Sequence, residues 1–316
     1  MRVLTLISAN TNIRFIDRRM FFFWVSALFI AASVILFAAR GLNYGIDFKG
    51  GIVIEIRVPG AADLGRMRGQ LSGLGLGEVG LQAFGTPTDV LVRIQRQDGG
   101  EEAQQRAVDA VRSALGPAVD YRRTEFVGPK VSRELFLSGV TAVGFALLAI
   151  LVYIWFRFDY QFGVCAVIAL AHDVISTIGM FSVFWFEFNL STVAAILTIA
   201  GYSINDTVVV FDRVRENLRK YKTMPLAELL NRSVNDTLSR TLMTSLTTLL
   251  ALFSLYFLGG EVIRGFSFAM IWGVLVGTYS SICVAVPLLL YMRIHRRPGE
   301  PAEGSEAGVE ETPETP

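Results

Sequence analysis

Residues 190–211 read LSTVAAILTIAGYSINDTVVVF, an apolar run with one charged side chain, Asp206. A helix of about 20 such residues crosses about 30 Å of hydrocarbon. A carboxylate at the centre of a bilayer helix costs about 2.5 to 3.5 kcal/mol on insertion scales, so a span that keeps one marks a working site by default. Read as a span, this stretch makes the chain an integral membrane protein and places its chemistry inside the membrane.

Outward from this run, stretches free of Lys, Arg, Asp and Glu cover residues 20–39, 135–156, 241–260 and 265–292. The stretch 160–186 is broken only by His172 and Asp173. Six transmembrane helices are therefore predicted, and the composition agrees: 52% of the residues are hydrophobic and 18% charged, with 23 Phe, which excludes an ordinary soluble globule. The first run has the basic flank of a signal peptide (Arg14, Arg18, Arg19). Its apolar stretch exceeds the usual 7 to 15 residues, so it reads as an uncleaved anchor.

The basic residues set the expected orientation. With the N-terminus inside, Arg2, Arg14, Arg18, Arg19, Arg157, the group from Arg213 to Arg240, and Arg293, Arg296 and Arg297 are cytoplasmic, whereas the short outer loops hold only Arg264. The segment 40–134 is too long for its charges to vote. Both termini are expected in the cytoplasm, with residues 1–19 as the N-terminal segment and 293–316 as an acidic, disordered tail that carries six Glu beyond Arg297. A net charge of +1 with no separate basic stripe argues against a nucleic-acid partner. Cys165 and Cys283 lie inside apolar runs and read as small core residues, with no disulfide, metal or cofactor implied.

Segment 40–134 has a different texture. Strand-like runs at 51–58, 78–84, 89–95 and 118–127 alternate with helical patterns at 61–73 (Leu64, Met67, Leu71, Leu74) and 101–115 (Ala103, Ala107, Ala110, Val111, Leu115). Gly85 to Thr88 reads as a hairpin turn. The order β-α-β-β-α-β predicts a ferredoxin-like α+β extracytoplasmic domain between helices 1 and 2. It holds no His, no Cys and no workable acid pair, so docking or binding is expected and catalysis is not. GIDFKGG at 45–51 precedes a strand instead of opening a helix, which rejects a phosphate loop; its glycines are read as allowing a sharp exit from the membrane. Within 212–240 a cytoplasmic amphipathic helix is expected from near Pro225, with Leu226, Leu229, Leu230, Val234 and Leu238 on one side and basic residues among anionic headgroups.

Inside the membrane, Thr198, Tyr202 and Asp206 recur at i, i+4 and i+8 on the fourth helix, with Asn205 beside them. The fifth helix answers with Arg240, Thr241, Thr244 and Thr248. Asp206 and Arg240 thus fall in the same half of the membrane. Desolvation favours a neutral carboxyl and a nearby guanidinium favours the carboxylate, so a modest movement between the helices would switch proton binding and release. The competing reading is that the pair only pins two helices, with Arg240 snorkelling to headgroups. Of the second intramembrane pair, Asp173 reads as a relay member, and His172 first as a hydrogen-bonded buried histidine. Gly273, Gly277 and Ser281 read as close helix packing.

SINDTVVVFDRVREN at 203–217 and RTLMTSLTT at 240–248 resemble the SecF family, membrane subunits of the bacterial Sec protein-export machinery and relatives of the RND transporters. GIDFKGG at 45–51, VGPKVSREL at 127–135, the HD pair at 172–173 and LGGEVIRGF at 258–266 extend the likeness in order along roughly 80% of the chain. Ser132 stands where the family pattern usually has Gly. The resemblance implies a non-enzymatic accessory subunit in the cytoplasmic (inner) membrane. It implies pairing with SecD beside the SecYEG channel, with YajC as a further partner, and use of the proton gradient to draw preproteins out, with Asp206 and Arg240 in proton coupling. Two rival readings are half of a proton-coupled small-solute transporter and a non-transporting assembly scaffold.

Overall fold

The structure, a computed structural model, describes residues 12–77, 79–83, 86–292 and 294. The acidic tail, Gly85 of the expected turn, and Arg2, Arg293, Arg296 and Arg297 lie outside the described residues. Helix α1 (Arg19–Arg40) has no Gly or Pro within it and ends at Gly41, whose φ of 70° lets its N–H reach the carbonyl of Phe37. A two-residue strand β1 (Asn43–Tyr44) and a single turn α2 (Ile46–Lys49) lead into a small α/β domain.

That domain comprises β2 (Gly51–Arg57), α3 (Leu64–Ser72), β3 (Val79–Ala83), β4 (Asp89–Ile94), α4 (Gly100–Leu115) and β5 (Asp120–Val127). The strand order is β3-β4-β2-β5 and every neighbouring pair is antiparallel. Alternation along β2 and β4 sends Ile52, Ile54, Ile56, Val90, Val92 and Ile94 to one face, where they pack on Met67 and Leu71 of α3 and Ala107, Val108 and Val111 of α4. On α4, Val108 occupies the core where Ala110 was expected and Ala110 is only half-buried. Asp63 caps α3 by accepting the Arg66 N–H at 3.0 Å.

The remaining chain is helical: α5 (Pro129–Arg157), α6 (Tyr160–Phe184), a two-residue strand β6 (Glu187–Phe188), α7 (Leu190–Lys220), α8 (Leu226–Leu258) and α9 (Glu261–Ser280). Among the described residues six helices are long and apolar enough to cross a membrane, as the sequence predicted. Helices α6, α7 and α9 form the buried centre, while α1, α5 and α8 keep most of their surface open. Small residues let the centre close up. A Cβ on Gly273 of α9 would collide with Ile199 of α7, and one on Gly277 would sit 3.0 Å from Ser203. Cys165 and Cys283 are buried free thiols in the same core cluster. Helix α9 gives way to a π-turn over Ser281–Ala285, just before Pro287, whose missing N–H breaks the regular ladder.

The structure redraws segment 212–240. Instead of a loop carrying a short helix, α7 continues to Lys220 and α8 begins at Leu226 and runs through the fifth span without a break. The apolar side of the expected amphipathic helix is buried: Leu229, Leu230, Val234 and Leu238 share a core with Val210, Phe211 and Val214 of α7. Ion pairs from Arg213 to Asp236 and from Arg157 to Asp212, and a 2.9 Å hydrogen bond from Asn217 to Ser233, hold the extended helix ends together. Asn231 and Asn235 of α8 bind the backbone of Ile13 and Phe15, which anchors the chain entering α1.

Candidate functional site: polar groups inside the helical bundle

Helix α7 sits between two polar neighbourhoods. Towards α8, Asp206 is 4% exposed and its Oδ2 has no hydrogen-bond partner among the described residues. Two further buried oxygens on these packed helices also lack a partner, the Tyr202 hydroxyl and Thr241 Oγ1. Buried polar atoms are ordinarily satisfied, so three on one helix pair set this neighbourhood apart from the rest of the bundle. Arg240, on the same helix pair, is exposed. No ion pair joins it to Asp206 within 4.0 Å among the described residues.

The other expected polar residues divide. Thr241 is buried, whereas Thr198, Asn205 and Thr244 are exposed and Thr248 is half-buried. The hydroxyls of Thr244 and Thr248 bond to carbonyls of their own helix at 2.9 Å. Together with Arg240 they leave a polar, open face on two helices of spanning character, which hydrocarbon would solvate poorly.

Towards α6 and α9 lies a second network, separate in its bonding. Asp173 is fully buried, and Nδ1 of His172 lies 3.0 Å from its Oδ1. Its Oδ2 accepts from the hydroxyls of Ser203 on α7 and Ser280 on α9, the latter at 2.8 Å. One turn further along, Thr207 and Ser281 share a hydrogen bond of 2.8 Å. His172 is 7% exposed, its Nε2 without a partner among the described residues, beside a cavity of about 210 Å³ lined by Val25, Ser26, Phe29, Leu275, Val276 and Tyr279. The sequence reading singled out Asp173 but missed Ser203 and Ser280. Ser203 lies three residues before Asp206, off the predicted face, and its hydroxyl is ordinary in a membrane helix until the partner carboxylate is placed. Among the described residues no group of three His, Cys, Asp or Glu side chains gathers as for a metal.

Six apolar helices, an α/β domain between the first and second, and ionisable groups buried at the bundle centre define a multi-pass membrane protein. A family model for the protein export membrane protein SecD/SecF, C-terminal, matches residues 107–295, and one for the SecD/SecF GG motif matches residues 35–58. The protein translocase subunit SecF of Cereibacter sphaeroides is 46% identical over 316 residues, covering 97% of each chain. That of Rhodobacter capsulatus is 48% identical over 308 residues, covering 93% of this chain and 92% of the relative. The crystal structure of SecDF, a translocon-associated membrane protein from Thermus thermophilus, superposes with a TM-score of 0.81 at 38% identity. It covers 90% of this chain, which in turn spans 39% of that SecDF chain. The chain belongs to the SecF family of protein translocase subunits.

Proposed function

We propose that this chain is the proton-coupled accessory subunit of a Sec preprotein translocase. In this reading Asp206 binds and releases the proton, and Arg240 sets when it does so. Asp173 and His172 form a neighbouring relay, and Tyr202, Asn205, Thr241, Thr244 and Thr248 supply the polar face along which water reaches the site. The observation that carries it is the unpartnered Oδ2 of Asp206, buried beside a helix face left polar and open. A membrane-embedded carboxyl without a fixed donor is free to change protonation state, and each proton crossing yields about 2.3 kcal/mol per 100 mV of membrane potential.

The open polar face of α7 and α8 also supports a heteromer. Thr198, Asn205, Arg240 and Thr244 need a protein neighbour in hydrocarbon, and SecD is the partner this reading assigns, the two chains together making up a pseudo-symmetric transporter. The SecYEG channel, YajC, membrane lipids and the translocating preprotein complete the surroundings. The α/β domain, with its βαββαβ order, is read as ferredoxin-like and placed on the extracytoplasmic side of the cytoplasmic membrane. Both termini then lie in the cytoplasm, and the domain transmits motion to the emerging chain.

The test is Asp206→Asn, which keeps shape and removes the titratable group. In membrane vesicles holding the complete translocase, the variant is expected to abolish the gradient-dependent part of secretion while the gradient-independent part persists. Unchanged gradient dependence would rule the reading out in favour of a scaffold. Normal secretion with loss of small-solute efflux would favour the transporter half.

A further inference from the structure

The α/β domain is tied to the first turn of α7 by contacts that run through GIDFKGG. Strand β1 pairs in parallel with β6, matching Asn43 with Glu187 and Tyr44 with Phe188. The Gly45 N–H donates to the Phe188 carbonyl at 2.9 Å. Two residues on, the Asp47 carboxylate accepts the N–H of Leu190, the first residue of α7, at 2.8 Å. The Glu187 side chain lies over Gly45, where an added Cβ would stand 2.5 Å from its Oε1. On its other side Glu187 forms an ion pair with Arg93 of β4, in the sheet itself. A chain of specific contacts therefore leads from the sheet, through Arg93, Glu187 and Asp47, to the helix that carries Asp206.

The joint differs in kind from the charge pair inside the domain. Arg57 grips both oxygens of Asp89, at 2.6 and 2.8 Å, in a two-pronged arrangement. Among the described residues Arg93 meets Glu187 through Nη2 alone, and its buried Nε has no partner. Such a pair is specific yet less than saturated, and a buried donor left empty lowers the cost of letting go.

We propose that Arg93, Glu187 and Asp47 form a releasable latch that positions the start of α7 against the α/β sheet. Glu187 and Arg93 are positioning residues: they touch no proton in transit, and they convert a displacement of α7 into a displacement of the domain. The assignment rests on the proton-coupled reading of α7 for its purpose, but its mechanical content is testable alone.

The experiment uses the full chain in the assembled translocase, with spin labels at exposed Thr124 on β5 and exposed Ala194 in the first turns of α7. Cys165 and Cys283 are replaced beforehand. The inter-label distance distribution is expected to be narrow in the parent, and to broaden at least twofold in Glu187→Gln and in Arg93→Gln. It is expected to narrow again in the charge-exchanged Arg93→Glu/Glu187→Arg pair. Distributions unchanged in both single variants overturn the latch. So does broadening without recovery in the exchanged pair, because lost packing would then account for it. Failure of the proton-coupled reading shows separately, as gradient-dependent secretion that survives Asp206→Asn.

Discussion

Asp206 and Arg240 sit on packed neighbouring helices, the carboxylate buried and the guanidinium exposed, and no ion pair within 4.0 Å joins them among the described residues. A bonded pair would hold the carboxylate in one state. In the proposed function an open one leaves its state to the position of Arg240, so the charge at 240 is the quantity to vary. Arg240→Gln is expected to lower gradient-dependent secretion at least tenfold, a coupling on the order of 1.4 kcal/mol or more. Arg240→Lys should retain part of it, because it keeps the charge. The same vesicle secretion assay, run with and without an ionophore, checks both.

Asp173 behaves differently from Asp206 because its oxygens are occupied. Asp173→Asn turns one acceptor into a donor and leaves the hydroxyls of Ser203 or Ser280 without a carboxylate, at about 1–3 kcal/mol for each buried group left unsatisfied. The variant should therefore unfold at lower temperature in detergent, whereas Asp206→Asn should not. Equal thermal stability of the two would contradict the division of the site into a bonded and an open carboxylate.

Gly51 opens β2 at φ 138°, and a Cβ there would lie 2.7 Å from the Ile94 carbonyl. Gly51 thus serves the entry of β2 between β4 and β5. Gly51→Ala should destabilise the α/β domain by about 1–3 kcal/mol, the usual cost of a residue held in a region only glycine adopts freely. Faster hydrogen exchange of the β2 and β4 amides, with α7 and α9 unaffected, is the expected readout.

Proton linkage gives the domain its own acid limit. The hydrogen bonds from Arg57, against an opposing effect of desolvation, hold the Asp89 carboxyl at about 2, below its ordinary 3.8. A depressed carboxyl contributes stability that is present above its ordinary pKa and lost as pH falls through the folded value. The methyl NMR signals of Ile52, Ile54 and Ile56 should therefore keep their native positions at neutral pH and fade as pH drops from about 4 towards 2. In Asp89→Asn the same signals should be weakened at pH 7 and change less on acidification.

Much of this was legible in the sequence because lipid imposes strict patterns. Apolar runs, four uninterrupted and two broken only by His172 and Asp173 or by Asp206, announced the six spans found among the described residues, and period-two alternation at Ile52, Ile54 and Ile56 announced a central strand. The join of Pro225 to the fifth span was not legible, since a basic amphipathic helix reads the same whether its apolar side meets headgroups or, as here, Phe211 and Val214. Asp206 stood out through its cost in hydrocarbon. Ser203 and Ser280 did not, because a serine hydroxyl is cheap in a helix, and only the packing of α6, α7 and α9 brings both to Asp173. Glu187 and Asp47 escaped notice for a related reason: 140 residues separate them, and only the pairing of β1 with β6 joins them.

The central claim, that the Asp206 carboxyl takes up and releases a proton within the membrane, is tested most directly by infrared difference spectroscopy on the membrane-embedded translocase across a pH titration. Expected is a carbonyl stretch of a protonated carboxyl that is lost as pH rises and is missing from Asp206→Asn at every pH. A spectrum in which the parent and Asp206→Asn show the same carboxyl bands throughout would contradict it.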